Sequence, residues 1–401
     1  MKPFASRMND FGESATIRMA QRASQLAAAG HDIIALTTGE PDFPTAEHIK
    51  AAAIEALHNG HTKYTSVGGT LELKKAVLEK FHRDNGLDFG VDEIIASAGA
   101  KQVVFHALMA TVETGHEVII PSPCWVSYLD ITRLFGGRPV AIDCDISKSF
   151  KLQARQLDEA ITTDTRWFIF NSPCNPSGTV YSREEIREIT DVLVRHPHVW
   201  LLTDDIYETI VYDDSKFVTP LQVEPRLRER TLTVNGVSKA YAMTGWRLGY
   251  GAGPSSLIRE MTRLQSQSIT SPSSISQAAA RAALLGDQSH VLDRTIEFER
   301  RRDYVVREIN TTPGLTCLIP QGAFYVFINC KNALGKVTLL GKRISSDEDL
   351  AEYFLEEAGV ALVHGAAFGM SPYLRLSFAA PIGILHDACA RLRKACSRLS
   401  D

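Results

Sequence analysis

From residue 93 to residue 253 the chain keeps a regular beat of short apolar runs and longer amphipathic stretches. EIIASAG (93–99), EVIIP (117–121), RPVAID (138–143), RWFIFN (166–171), VWLLTD (199–204), TLTVN (231–235) and WRLGYGAG (246–253) read as strands. Between them KQVVFHALMATV, WVSYLDITRLF, RQLDEAI and residues 183–195 read as helices. Ser182 and Glu185 make a capping box at the start of the last one. Ahead of the beat, residues 46–59 predict a helix with Thr45 as cap and Gly60 as stop, and residues 70–83 a second helix. Short apolar runs alternating with helices predict an α/β fold, a mostly parallel sheet between two helix layers.

After about residue 255 the beat changes. Helices dominate to residue 309. LTCLIP, AFYVFIN, VALVHG and YLRLSFA then read as strands, with helices at 348–358 and 383–399. The division this predicts is an N-terminal arm and part of a small domain over residues 1–45, a large domain over 46–309, and a small α+β domain over 310–401.

Composition narrows the class without naming the chemistry. The 401 residues are 44% hydrophobic and 22% charged, ordinary values for a globular chain. A formal net charge of -4 argues against a nucleic-acid partner. No apolar run is long enough to cross a bilayer, so no membrane role is expected, and the first residues lack the apolar centre of a secretory signal. The seven cysteines (124, 144, 174, 317, 330, 389 and 396) form no CxxC pair, so neither a metal site nor a disulfide frame is expected. The expected location is the cytoplasm.

The chemistry lies where the strands stop, because open α/β sheets bind ligands outside the carboxyl ends of their strands. EIIAS runs into Gly99, Ala100 and Lys101 at a helix start, a turn suited to phosphate. EVIIP is followed by Trp125, RWFIF by Asn175, VWLLT by Asp204 and Tyr207, and TLTVN by Ser238 and Lys239, with Arg247 soon after. Arg375 is a cation inside the apolar run YLRLSFA, where a charge needs a partner. Singly, each has a plainer explanation: a tight turn, a core aromatic, a helix cap, a solvated lysine. Jointly, one cofactor accounts for all of them. Pyridoxal phosphate needs a lysine amine for a Schiff base and a carboxylate for its pyridine nitrogen. Its phosphate needs a helix N-terminus with a hydroxyl and an arginine. Its ring oxygen accepts from a phenol and an amide, and its ring face wants an aromatic neighbour.

The segments LTTGEPDFPT, KYTSVGG, SPCWVSY, NSPCNPSG, TDDIYE, VNGVSKAYAMTGWRLGY, QGAFYVF and YLRLSFA carry a resemblance that runs nearly end to end. The chain resembles the class I aminotransferases of the fold type I pyridoxal-phosphate enzymes, above all the bacterial aspartate aminotransferase subgroup. The resemblance implies that Lys239 is the Schiff-base lysine and proton carrier and that Asp204 pairs with the pyridine nitrogen. It implies that Tyr207 and Asn175 hold the ring oxygen and that Trp125 stacks on the ring. Gly99, Ala100, Lys101, Ser238 and Arg247 would surround the phosphate end. Tyr64 would reach the phosphate of the other subunit, so that the expected unit is a homodimer with shared sites. Arg375 would clamp the substrate α-carboxylate, with Asn175 and the Gly39 backbone assisting. Lys101 would meet the distal carboxylate of a dicarboxylic substrate, helped by Ser14 and Thr16. The chain departs from the pattern at Cys124 and Cys174, small residues for which tolerance is expected, and at Ala100, which asks that the backbone there need no positive φ.

The implied activity is a ping-pong transamination between an amino acid, aspartate or another dicarboxylic one, and 2-oxoglutarate. Aromatic amino acids, prephenate or alanine are alternative substrates. A lyase or synthase on the same scaffold would share every cofactor residue, and a non-catalytic binding module is disfavoured by the intact Lys239.

Overall fold

The computed structural model describes residues 4–9 and 11–400; residues 1–3 and 10 of the expected arm, and residue 401, lie outside the described residues. The chain opens with α1 (Ala15–Ala28), β1 (Ile34–Ala35), α2 (Glu47–His58) and α3 (Leu71–Asn85). Strands and helices then alternate: β2 (Ile94–Ser97), α4 (Ala100–Thr111), β3 (Glu117–Ser122), α5 (Ser127–Leu134), β4 (Arg138–Asp143), α6 (Ala154–Ala160), β5 (Thr165–Asn171), α7 (Arg183–Arg195) and β6 (Trp200–Asp204). After α8 (Pro220–Val223), β7 (Thr231–Gly236) and β8 (Gly249–Ala252) come α9 (Ser255–Ser266), α10 (Ser274–Leu285) and α11 (Ser289–Asn310). The chain ends with β9 (Thr316–Cys317), β10 (Tyr325–Asn329), α12 (Asp347–Ala358), β11 (Val360–Ala361), β12 (Val363–His364), β13 (Tyr373–Ser377) and α13 (Ile382–Cys396).

The large sheet has seven strands in the order β2-β8-β7-β6-β5-β3-β4. Only β8 runs against the rest, antiparallel to both β7 and β2. Two reversals restore direction, so β2 points the same way as β3 to β7 and its carboxyl end falls on the same edge. Along β5 the side chains alternate between two cores. Trp167 and Ile169 pack under α4, α5 and α9, and Phe168 and Phe170 under α6 and α7. Each such fully buried side chain contributes roughly 1.5–3 kcal/mol. That is why the apolar runs in this part of the chain are continuous rather than alternating.

A four-stranded sheet, β12-β13-β10-β9, forms the core of a smaller unit with α12 and α13. β1 joins this unit by pairing in parallel with β11. The long α11 serves both: Val291 packs into a core of the large sheet, and Phe298, Val305, Val306 and Ile309 pack into the smaller unit.

Two local expectations need correction. Thr45 does not cap α2; its hydroxyl donates to the Ala242 carbonyl instead, and Ala46 takes the cap position without a side-chain bond. WRLGYGAG is strand only from Gly249, because Arg247 has φ 53° and turns the chain before the ladder begins.

Candidate active site

At the shared carboxyl edge of the sheet the chain leaves a cavity. It is lined from the large unit by Lys101, Trp125, Tyr128, Asn175, Asp204, Tyr207, Lys239 and Arg247, and from the smaller one by Tyr325 and Arg375. Its depth is set by β6, whose last residue, Asp204, is buried. One carboxylate oxygen accepts from the Tyr128 hydroxyl at 2.6 Å and the other from the Ile206 amide at 3.3 Å. Among the described residues no cation lies within ion-pair distance of it. Burial therefore raises its pKa above the ordinary aspartate value. The neighbouring Asn171 donates to the Asp204 carbonyl at 2.7 Å and accepts from the Asn175 amide at 3.0 Å, locking the ends of β5 and β6 together.

Lys239 follows β7 and points its ammonium at the Gly39 carbonyl. Burial first, and then the charge of Arg375, lowers its pKa from the ordinary 10.5 to about 8. An amine held there exchanges protons near neutral pH, unlike a surface lysine. Tyr207, three residues after Asp204, bonds hydroxyl to hydroxyl with Tyr325 at 2.8 Å, and its own pKa is pushed well up by burial.

Arg375 is the least expected group in the cavity. It sits in the middle of β13 and is 2% exposed. Nη1 donates to Asn175 Oδ1 at 2.9 Å and Nη2 to the Thr37 carbonyl, while buried Nε has no partner. Its guanidinium lies 4.5 Å from the Tyr325 ring centre and 4.8 Å from that of Phe368. No carboxylate pairs with it among the described residues. A buried, hydrogen-bonded guanidinium without an anion is a preformed anion site.

The other end of the cavity is built by α4. Gly99 has φ 99° at its N-cap, a backbone conformation that favours glycine, and Ala100 and Lys101 of the first turn line the cavity. A Cβ on Gly99 would stand 2.6 Å from Arg247 Nη2, and one on Gly249 would stand 2.1 Å from the Ala100 amide nitrogen. The guanidinium of Arg247 is held by the carbonyls of Thr244 and Ala98 at 2.9 and 3.3 Å. Lys101 lies with its ammonium 4.8 Å from the Trp125 ring centre, and burial and Arg247 lower its pKa.

The sequence profile described as aminotransferase class I and II matches residues 31–392. The chain belongs to this aminotransferase family. It is 54% identical over 396 residues to the aspartate aminotransferase of Rhizobium meliloti (strain 1021), an alignment covering 99% of this chain and 97% of that one. It is 51% identical over 387 residues to the aspartate/prephenate aminotransferase of Cereibacter sphaeroides (strain ATCC 17029 / ATH 2.4.9), covering 96% and 97%. Its fold is similar to the crystal structure of the aspartate aminotransferase from Rhizobium meliloti, with TM-score 0.96, 54% identity and full coverage of both chains.

The aminotransferase brings most of the residues singled out from its sequence into one place. Ser14, Thr16, Gly39, Ala100, Lys101, Trp125, Asn175, Asp204, Tyr207, Ser238, Lys239, Arg247 and Arg375 all line the cavity, and Gly99 abuts it through Arg247. Tyr64 stands apart: it is 89% exposed and borders a different depression, with Thr70, Gln277 and Arg281. Sequence reasoning missed Tyr128, Asn171 and Tyr325, which hold Asp204, Asn175 and Tyr207. Tyr128 and Tyr325 lie within quoted motifs, SPCWVSY and QGAFYVF, but look like core aromatics. Asn171 looks like a strand end. It also missed Glu40, the cavity carboxylate next to Gly39.

Proposed function

We propose that this aminotransferase moves the amino group of aspartate, or of a similar dicarboxylic amino acid, to 2-oxoglutarate by a ping-pong reaction with bound pyridoxal phosphate. The observation that carries the reading is three buried charged groups gathered in one cavity, none of them in an ion pair among the described residues: the Asp204 carboxylate, the Lys239 amine and the Arg375 guanidinium. Left alone, each is a cost to the fold. A molecule with a basic ring nitrogen, an aldehyde and a phosphate, together with a substrate carboxylate, would satisfy all three.

The residues fit that cofactor. Asp204 would hold its ring nitrogen protonated. Tyr207 and Asn175 would donate to its ring oxygen, and Trp125 would cover its face. The first amides of α4, with Gly99, Ala100, Ser238 and Arg247, would hold its phosphate, a role supported by the close packing of the Arg247 guanidinium against Gly99, where a Cβ would stand 2.6 Å from Nη2. When bound, the group supplies a protonated ring that withdraws electrons from the substrate α-carbon. Arg375 would fork onto the substrate α-carboxylate, with Asn175 as its brace. Lys239, with its lowered pKa of about 8, would take the α-proton and return it on the far side of the transfer. Lys101, beside Trp125, would meet the distal carboxylate, with Ser14 and Thr16 at the start of α1, which also line the cavity.

Tyr64 would complete the phosphate end of a second subunit's cavity, making the working unit a homodimer; its exposure supports this. The division into residues 1–45, 46–309 and 310–401 would set Arg375 on one side of the cavity and Lys239 on the other. No helix among the described residues is long and apolar enough to cross a membrane. A second reading, prephenate as an oxo-acid acceptor, is favoured by the name of the Cereibacter relative.

The test is a screen of amino donors against 2-oxoglutarate with added pyridoxal phosphate. Aspartate should lead, double-reciprocal plots should be parallel, and Lys239→Ala should abolish turnover. Normal rates in Lys239→Ala, or product formation without an oxo-acid acceptor, would overturn the assignment.

A further inference from the structure

Behind the cavity lies a buried ionic cluster that the reaction does not use. Lys80 on α3 is 2% exposed and pairs with Glu208, which is 9% exposed. Lys80 also donates to Asn85 Oδ1 at 2.7 Å. Asn85 donates to Glu208 Oε2 at 3.0 Å, and Asn235 of β7 donates to Glu208 Oε1 at 2.8 Å. The Glu208 carboxylate thus takes three donors from two separate elements, every one of them buried. A buried ion pair of this kind is a poor way to gain stability, since apolar residues of the same volume do as well or better. Its geometry is what distinguishes it.

Glu208 is the residue after Tyr207. The turn between them is closed by Glu208 N–H on the Asp205 carbonyl at 2.9 Å and Ile210 N–H on the Tyr207 carbonyl at 2.8 Å. On one side of this turn the Tyr207 hydroxyl reaches across the cavity to Tyr325. On the other, Glu208 is bolted to α3 and to β7, the strand that delivers Lys239 four residues after Asn235. The Asp205 amide adds a bond to the Val234 carbonyl at 2.9 Å. Other bonds also hold this turn, from the Thr219 hydroxyl to Asp205 Oδ2 at 2.7 Å, from the Thr295 hydroxyl to the Thr209 carbonyl at 3.2 Å and from the Ala323 amide to the Ile210 carbonyl at 2.9 Å, and the Glu208 cluster adds the tie to α3 at the residue next to Tyr207.

We propose that Glu208, held by Lys80, Asn85 and Asn235, is a positioning residue that fixes the Tyr207 hydroxyl relative to Lys239. The inference rests on the reading that Tyr207 donates to the cofactor ring oxygen. Glu208→Gln alone leaves Lys80 buried without its counter-charge and risks failing to fold. Lys80→Met/Glu208→Gln removes both charges together; the new side-chain amide keeps one acceptor oxygen, for Asn235, and presents its NH2 to Asn85, whose amide oxygen no longer serves Lys80.

The experiment is a cycle of that double variant with Tyr207→Phe in the enzyme loaded with pyridoxal phosphate. The readouts are kcat, KM for aspartate, and the pH midpoint of the cofactor's visible absorbance. With Tyr207 intact, the double variant should lower kcat about tenfold, change KM less than twofold, and raise the absorbance midpoint toward that of Tyr207→Phe. Combined with Tyr207→Phe, it should change neither kcat nor the midpoint further. Equal effects in both backgrounds, or no effect in either, would overturn the inference. If Tyr207→Phe alone matches the parent in rate and midpoint, the role assigned to Tyr207 fails instead, and Glu208 has nothing to position.

Discussion

Replacing Arg375 with methionine separates what the guanidinium does for substrate from what it does for the fold. In the structure the group has two bonds to neutral acceptors, Asn175 Oδ1 and the Thr37 carbonyl, and an idle Nε. A substrate carboxylate arriving here gains a pair of charge-assisted bonds, each worth about 1.5–3 kcal/mol. Losing both removes about 3–6 kcal/mol from the transition state. That is about a 10²- to 10⁴-fold fall in kcat/KM. Stability follows a different sum. Methionine abolishes the burial of an unpaired cation, whose pKa is already lowered by desolvation. It leaves two acceptors without donors, at about 1–3 kcal/mol each. The terms oppose one another, so the melting temperature of the cofactor-free protein should stay within about 5 °C of the parent. Arg375→Lys restores charge but not the planar fork, and should recover only part of the activity. The assays are steady-state kcat/KM for aspartate with 2-oxoglutarate and thermal unfolding of the apoprotein. A fall in kcat/KM of less than tenfold would refute the anion-site argument. So would a fall accompanied by collapse of the melting temperature, which would make Arg375 structural.

Three other outcomes follow from the same geometry. Lys101→Met should cut kcat/KM for aspartate about 10- to 100-fold and leave phenylalanine nearly unchanged; an unaltered preference ratio would remove Lys101 from the distal-carboxylate role. Gly99→Ala forces a Cβ to 2.6 Å from Arg247 Nη2 at a φ of 99°, so it should speed loss of the cofactor on dialysis, measured by absorbance, with the fold retained by circular dichroism. Lys239 has a folded pKa of about 8, below the ordinary 10.5, so the folded apoprotein binds fewer protons than the unfolded chain between those values. Its penalty is therefore full below pH 8 and fades as the pH rises to 10.5. Apo Lys239→Met should be more stable than the parent at pH 7 by up to about 3 kcal/mol in urea unfolding, and equally stable near pH 10.5; a gap that does not close with pH would contradict the burial argument.

The chemistry of this site was legible because of how parallel sheets are made. Strands buried on both faces are written as unbroken apolar runs, so the first polar residue after each run marks the sheet edge, and Asp204, Asn175 and Lys239 are near such marks. The antiparallel β8 was not legible, since its glycine-rich sequence GYGA carries no direction. Nor were the supports. Tyr128 and Tyr325 bury their rings like any core aromatic, and only the fold reveals that one hydroxyl ends on Asp204 and the other on Tyr207.

The same limit explains why the site and the cluster behind it looked so different from the sequence. Arg375 stood out because a charge interrupts an apolar strand. Lys80 did not, because LELKKAVLEKFHRDN offers it as one of several cations on an ordinary helix, yet it is as buried as Arg375. Burial alone therefore does not separate a working charge from a structural one; partnership does. Lys80 meets a carboxylate and an amide oxygen from within the chain, so nothing remains for a ligand to satisfy. Arg375 and Asp204 meet only neutral groups, and the charge each lacks is the charge that a substrate carboxylate and a protonated ring nitrogen would bring.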